Sequence, residues 1–322
     1  MDIKKLNIAI LLPCLNEEGA IGNTITAFKH ELPEAKIYVY DNNSTDNTAK
    51  EAKSAGAIVR REPRPGKGEV VRRMFSDVEA DIYILADGDE TYDSSCVRDL
   101  INVLITDQMD MVIGTRSTPT HAYPKGHILG NKAFSMLINT FFNANLCDVF
   151  SGYRVMSRRF VKTIPIISDG FQIETEMTVH ALHHKLPILE VPTTYHPRKN
   201  GTNSKLKTFS DGFKILRFIL FLIRDVKPLM FFTFLSILLA LISLVLGLPI
   251  ISEFLSTGLV PRLPTAVLAS SVGLISIICL FTGLMLDNVT KGRMNLVCLN
   301  YKSYHPVDCK ESNWSNHEKK QR

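Results

Sequence analysis

Paired cysteines are missing from this sequence. Six cysteines (Cys14, Cys96, Cys147, Cys279, Cys298 and Cys309) occur singly in 322 residues, with no Cys-x-x-Cys pair and no histidines at zinc spacing. That argues against a zinc ribbon or a dithiol redox motif and leaves free thiols in a reducing compartment. An excess of charge is also missing. The net charge is only +5, and the basic residues gather near apolar C-terminal segments instead of alternating with aromatics. No nucleic-acid face is expected; the partners implied are anionic lipid or phosphate. A secretory leader is not expected either, because the apolar run Leu6 to Leu12 is too short and meets Pro13, Asn16 and Glu17 at once. It reads as a buried strand.

Long apolar runs appear only late in the chain. Leu229 to Ile251 and Leu263 to Leu286 are uncharged stretches of more than 20 residues each. Each is long enough to cross a bilayer as a helix, and a core helix seldom stays apolar on every face for so many turns. Arg217, Arg224 and Lys227 precede the first run and Lys291 and Arg293 follow the second, while only Glu253 and Arg262 lie between. By the positive-inside rule both ends face the cytoplasm, at the cell (plasma or inner) membrane. Before the first run, Lys207, Lys214, Arg217 and Arg224 share one arc of a helical wheel opposite Phe213, Leu220 and Phe221. Such a face suits a core helix with a solvated side, and its continuity with a span favours a helix lying on the membrane. Gly247, Gly273 and Gly283 permit close helix packing and suggest a homo-oligomer.

Residues 1–206 alternate apolar runs with amphipathic segments, as in an α/β fold with a parallel sheet. Strands are expected at Asn7 to Leu12, Lys36 to Asp41, Ala57 to Arg61, Asp81 to Ala86, Met109 to Gly114 and Ile188 to Thr194. Helices are expected over Asn131 to Phe142 and Glu174 to His184. The remaining divisions are a juxtamembrane helix over 207–228, two spans over 229–287 and a polar cytoplasmic tail over 288–322, without structure from Tyr301.

Ligands of open α/β sheets bind at the carboxyl ends of strands, so the residues there carry the chemistry. Asp87-Gly88-Asp89 follows an apolar strand, and its two carboxylates can aim at one divalent cation on a diphosphate, although short acids also simply satisfy turn amides. Asp41 can accept an imino N–H from a nucleobase, and Asn42 to Asp46 can equally be a turn and helix cap. Pro13 to Glu18 carries the same ambiguity. Gly66-Lys67-Gly68, between Arg64 and Arg72, is a basic turn opening a helix, suited to phosphate. Adjacent His183 and His184 point apart on a helix and read as surface residues. Glu174 and Glu176 follow Asp169-Gly170 and border a possible acceptor site.

Taken in order, Leu12 to Glu18, Asp41 to Asp46, Gly66 to Gly68, Asp87 to Asp89 and Ser151-Gly152-Tyr153-Arg154 resemble glycosyltransferase family 2. Arg198 to Lys205 followed by two spans resembles the polyisoprenyl-phosphate glycosyltransferases, relatives of dolichyl-phosphate mannose synthase. The resemblance implies a GT-A fold and a metal-dependent transfer of a hexose from a nucleotide sugar to a polyprenyl phosphate, using Mg2+ or Mn2+. It implies that Pro13, Leu15, Glu17 and Asp41 hold the nucleoside, with Asn16 and Asn43 in the same loops. Asp87 and Asp89 would hold the metal and Gly88 would lie against the diphosphate. Lys67, Arg116, Arg198, Ser204 and Lys205 match polar positions near the phosphates, and Asp89 and Arg154 are the residues expected to act in catalysis. Two departures stand out: Thr91 replaces a glutamine of the archaeal mannose synthases, and Asp41-Asn42 replaces a pair of acids.

UDP-glucose or UDP-N-acetylglucosamine is favoured as donor over GDP-mannose, and undecaprenyl or dolichyl phosphate as acceptor. Two spans are too few for a processive polysaccharide synthase, and the single tryptophan, Trp314, forms no Gln-x-x-Arg-Trp. A sugar nucleotidyltransferase would carry a glycine-rich loop where this chain has Asn16-Glu17-Glu18. An inactive nucleotide-sugar-binding scaffold is the remaining rival.

Overall fold

A computed structural model describes residues 6–117, 125–170, 172–196, 217, 221 and 224–307. Four short apolar runs become β1 (Ile8–Cys14), β2 (Lys36–Asp41), β3 (Ile58–Arg61) and β4 (Ile82–Leu85), separated by α1 (Ile21–Glu31), α2 (Thr48–Ser54) and α3 (Lys67–Asp77). These four strands are parallel. The chain continues through α4 (Val97–Thr106), β5 (Met111–Ser117), α5 (Lys125–Phe142), β6 (Arg154–Ser157), α6 (Arg158–Thr163), α7 (Ile173–His183) and β7 (Ile188–Thr194). All seven strands form one sheet in the order β3-β2-β1-β4-β6-β5-β7.

The sheet is mixed, which corrects the expectation of a parallel one. β6 was not anticipated, and it runs antiparallel to both β4 and β5. It is four residues long and opens with an arginine, so it has none of the length or apolar character of a recognisable strand. Insertion of β6 separates β4 from β5 and opens the carboxyl end of β4 to loops from both halves of the sheet.

Alternating side chains of β1 feed two cores. Ile8, Ile10 and Leu12 pack with Ile21, Ile25, Leu100 and Leu104 of α1 and α4. Ala9 and Leu11 pack with Val70, Met74, Phe160 and Met177 of α3, α6 and α7. A central strand covered on both faces must be apolar throughout, as β1 is. α7 is a different case, because Ile173 through Ala181 are all buried, including Glu174, Thr175, Glu176 and Thr178. Its polar side chains therefore need partners.

Two further helices, α8 (Pro228–Thr257) and α9 (Leu263–Lys302), are long and apolar enough to cross a membrane. Only 11% and 17% of their most apolar windows is buried, so the apolar surface faces outward, the reverse of a core helix. They pack on each other through small residues. Ser236 and Ser276 hydroxyls meet at 3.1 Å, and Ser243 Oγ donates to the Ala269 carbonyl at 2.8 Å. A Cβ on Gly283 would lie 2.8 Å from Phe232 Cβ, and one on Gly273 3.0 Å from Ser243 Oγ. These glycines serve contacts within one chain and give no support to the oligomer they had suggested. α9 also continues beyond residue 288, where a polar tail was expected. Of the helix expected over 207–228, residues 207–216, 218–220, 222 and 223 lie outside the described residues.

The end of α9 belongs to the catalytic unit, which comprises Met1–Leu216 and Val297–Arg322. There Asp110, fully buried, accepts hydrogen bonds from Ser157 Oγ (2.8 Å), Arg159 Nε (2.6 Å) and Tyr301 Oη (2.6 Å). Removing the carboxylate strands a guanidinium and two hydroxyls. Asp110→Ala is expected to cost about 3 kcal/mol and Tyr301→Phe about 1 kcal/mol. Thermal unfolding of the detergent-solubilised protein measures both.

Candidate active site

Three residues with side chains adopt left-handed backbone at the carboxyl ends of neighbouring strands: Asn16 (φ 51°) after β1, Asn43 (φ 64°) after β2 and Glu90 (φ 60°) after β4. Asparagine tolerates this region better than glutamate does, and such conformations persist only where surrounding contacts hold them. Here the contacts join the β1 and β2 loops. Asn16 N–H donates to Ser44 Oγ at 2.9 Å, and Thr45 N–H returns to Asn16 Oδ1 at 2.8 Å. Glu18 accepts from the backbone and side chain of Asn47 at 3.0 and 2.8 Å. Glu17 N–H donates to Thr48 Oγ1 at 2.8 Å. Asp46 accepts from Thr48; burial acts against its charge, but these bonds hold its carboxyl below the usual range. The residues after β2 form the expected turn, while Asn47, the N-cap of α2, makes no side-chain cap hydrogen bond.

Asp41 is nearly buried and its Oδ1 accepts the Ser44 N–H at 3.2 Å. Asn42 ties the β2 end to the next loop, donating to the Glu62 and Arg64 carbonyls at 3.0 and 2.6 Å and accepting from Gly66 N–H at 2.8 Å. Asn43 bonds the Pro63 carbonyl and Arg61. Pro13 pairs with Tyr40 across the sheet, and Leu15 is 37% exposed just beyond β1.

The Asp87-Gly88-Asp89 turn lies beside the β1 loop. A Cβ on Gly88 would meet Cys14 Sγ at 2.6 Å, so only glycine brings the turn this close to β1. Asp89 is 4% exposed, and its Oδ1 accepts from the Thr91 hydroxyl at 2.6 Å and the Thr91 N–H at 3.3 Å. Thr91 therefore orients Asp89. Asp87 Oδ1 receives Lys67 Nζ at 2.5 Å, and the same ammonium meets Glu174 Oε1 at 2.6 Å. Burial would drive Lys67 towards neutrality, but Asp87 and Glu174 together hold its pKa well above the ordinary lysine value. Gly152 lies against Asp87, Lys67 and Tyr92, and its N–H donates to the Tyr92 hydroxyl at 2.8 Å. Burial, with Asp87 nearby, keeps Tyr92 protonated. Sequence reasoning missed Tyr92 and the role of Gly152; Tyr92 lies three residues past Asp89, a proximity that offered the only signal.

Two expected phosphate contacts are engaged elsewhere. Arg116 grips Asp148 with Nε and Nη2, each at 2.7 Å. Arg154, expected at the acceptor phosphate, is fully buried on β6, and burial lowers its pKa to about 10. Its guanidinium donates to the Ser151 and Val149 carbonyls at 2.9 and 3.0 Å. The β6 pleat points this side chain into the core, so it supports the site from behind instead of touching substrate. Arg198, Ser204 and Lys205 lie outside the described residues.

The sequence profile described as glycosyl transferase family 2 matches residues 9–164. Glycosyltransferase AglJ of Haloferax volcanii is 34% identical over 212 residues, which span 64% of this chain and 68% of that protein. This chain belongs to glycosyltransferase family 2. A dolichyl-phosphate hexose transferase of the same organism is 26% identical over 64% of this chain and 89% of its own length. Among solved structures, the glucosyl-3-phosphoglycerate synthase of Mycobacterium tuberculosis, crystallised with Mn2+, UDP and glucosyl-3-phosphoglycerate, superposes with a TM-score of 0.58 at 21% identity. That match covers 68% of this chain and 81% of the synthase. The expected GT-A fold is thereby borne out, and the family assigns the chain as a nucleotide-sugar glycosyltransferase.

Burial makes Arg154 a stability residue. Arg154→Ala would leave two carbonyls unpaired and a large cavity, at a cost of about 3 kcal/mol or more. The expected readout is a lowered melting temperature, with transfer by the remaining folded fraction retained.

Proposed function

We propose that this glycosyltransferase moves a hexose from a nucleotide sugar, UDP-linked in preference to GDP-linked, onto a polyprenyl phosphate in the membrane, with inversion at the anomeric carbon. The observation that carries the proposal is the occurrence in one chain of acids and a lysine gathered where β4 ends and of two outward-apolar helices. A lipid-linked acceptor keeps its long chain in the bilayer and its phosphate at headgroup level, so an anchored enzyme meets it there. The similarity to the dolichyl-phosphate hexose transferase supports this acceptor class. The positive-inside distribution supports a cytoplasmic catalytic domain.

The acidic pair fits a divalent ion. Asp87 and Asp89 offer hard oxygen ligands, and no group of three acids, histidines or cysteines suited to a metal occurs among the described residues. Two acids with the remaining positions left to phosphate and water suit Mg2+ or Mn2+. Lys67 engages Asp87 Oδ1 and Thr91 engages Asp89 Oδ1, so both acids are fixed in place and would hold the ion together. Such an ion, when bound, neutralises charge developing on the leaving diphosphate.

The protein's own residues position and neutralise. The β1 and β2 loops, with Leu15 and Asp41, hold the nucleoside; Thr91 keeps Asp89 in one rotamer; Lys67 keeps an ammonium beside the diphosphate. A phosphate monoester has its second pKa near about 6, so the acceptor oxygen attacks without a strong base. One C–O bond forms at the anomeric carbon as the other breaks, and the nucleoside diphosphate departs with the electron pair. Arg198, Ser204 and Lys205 are retained as candidates for the acceptor phosphate.

Incubating purified protein with undecaprenyl phosphate, Mn2+ or Mg2+ and labelled UDP- and GDP-sugars should place label in butanol-extractable lipid from one donor. EDTA should abolish it, and Asp89→Asn should lower kcat by about 100-fold or more. Full transfer by Asp89→Asn with metal present would overturn the assignment, and nucleotide binding with no lipid product would favour the scaffold.

A further inference from the structure

Two acids two positions apart on α7 do different work. Glu176 stitches its own neighbourhood, accepting from Ile167 N–H (2.7 Å), Ser168 N–H (2.9 Å) and Ser168 Oγ (2.6 Å). Residues two apart on a helix point to nearly opposite sides. Glu174 accordingly faces the other way, towards α3, and its ion pair is with Lys67 at 2.6 Å. Lys67 opens α3, and α3 is fixed to the start of α7 independently of that pair. Gly68 N–H donates to the Asp169 carbonyl at 3.0 Å, and Arg72 donates to the carbonyls of Ile166, Ile167 and Ser168. The contact between α3 and the segment preceding α7 therefore does not rest on the Glu174 ion pair.

The two carboxylates that share Lys67 differ in accessibility. The Glu174 side chain is 5% exposed and that of Asp87 29%, so the Asp87 arm opens to the cleft and the Glu174 arm is sealed behind it. Asp87 is the partner that a nucleotide sugar and its cation would engage. If Asp87 were the only counter-ion, drawing its carboxylate to the donor would leave a desolvated ammonium without compensation, at a cost of several kcal/mol. An ammonium has three hydrogens to donate, and two go to these carboxylates.

We propose that Glu174 is a positioning residue for donor binding: it is the standing, enclosed partner that keeps Lys67 aimed, so that Lys67 directs an N–H to the donor diphosphate while Asp87 turns to the donor. This rests on the reading of the cleft as a nucleotide-sugar site, and it is independent of the acceptor. Glu174 also lies near the buried Arg154, and its part in donor binding is the one played through Lys67. Replacing it by glutamine keeps the shape and an acceptor oxygen while removing the charge.

Titration of full-length, detergent-solubilised protein with UDP and with GDP in the presence of Mn2+, followed by calorimetry, tests this. For whichever nucleotide wild type binds, Glu174→Gln should weaken binding about tenfold, Lys67→Met by at least as much, and the double variant no more than Lys67→Met alone. Glu174→Asp, which keeps the charge, should recover part of the affinity that Glu174→Gln loses. Additive effects of the two substitutions, or nucleotide binding unchanged by Glu174→Gln, would overturn the inference. Wild type that binds neither nucleotide would sink the donor-site reading and this inference together. Wild type that binds nucleotide but labels no lipid would refute the acceptor alone and leave the cycle to decide Glu174.

Discussion

Gathering acids at the carboxyl end of β4 is only possible because one ammonium sits among them. Asp87 and Glu174 come from a strand end and a helix start nearly ninety residues apart, and Lys67 bonds both. Like charges in a low-dielectric cleft repel strongly, and an enclosed lysine by itself would shed its proton. Each destabilising feature offsets the other, and side chains from β4, α3 and α7 meet at one point. Gly152 and Tyr92 pack directly on that cluster, so the geometry of β6 depends on it too.

The same economy appears in the loops. Left-handed backbone at Asn16, Asn43 and Glu90 is unfavourable by about 1 kcal/mol or more each. It is maintained by the hydrogen bonds between Asn16, Ser44 and Thr45 and by the short turn from Asp87 to Thr91. A cleft stabilised in this way is shaped before any ligand arrives, which lowers the ordering cost of binding. Asn42 extends the brace to Gly66, linking the nucleoside loops to the basic turn that carries Lys67.

The C-terminal helices obey different rules. Their large side chains, Phe234 and Val245 among them, are more than two-thirds exposed, which is stable only in a surrounding as apolar as themselves. Contact between the two helices falls to serines and glycines, where hydroxyls find partners and backbones approach. Intact glycine-mediated packing within the hairpin explains why glycines in an apolar run do not by themselves signal association between chains.

Much of this protein was legible before any coordinates. The strands β1 to β4, the end of β4 as the chemical centre and the two apolar helices followed from local patterns: apolar runs of strand length, polar residues immediately after them, and uncharged runs longer than a bilayer. Those signals are local because burial on both sheet faces, or immersion in lipid, acts on every residue of the segment. What only the tertiary structure decided were the pairings between distant segments. Arg154 reads in sequence like a phosphate ligand, yet the pleat of a four-residue antiparallel strand turns it into the core. Thr91 reads as a missing ligand and is the hydrogen-bond donor that orients Asp89. Glu174 has no local feature separating it from Glu176; which of them faces Lys67 depends on the rotation of α7 against α3, set by packing among residues that sequence neighbours do not determine.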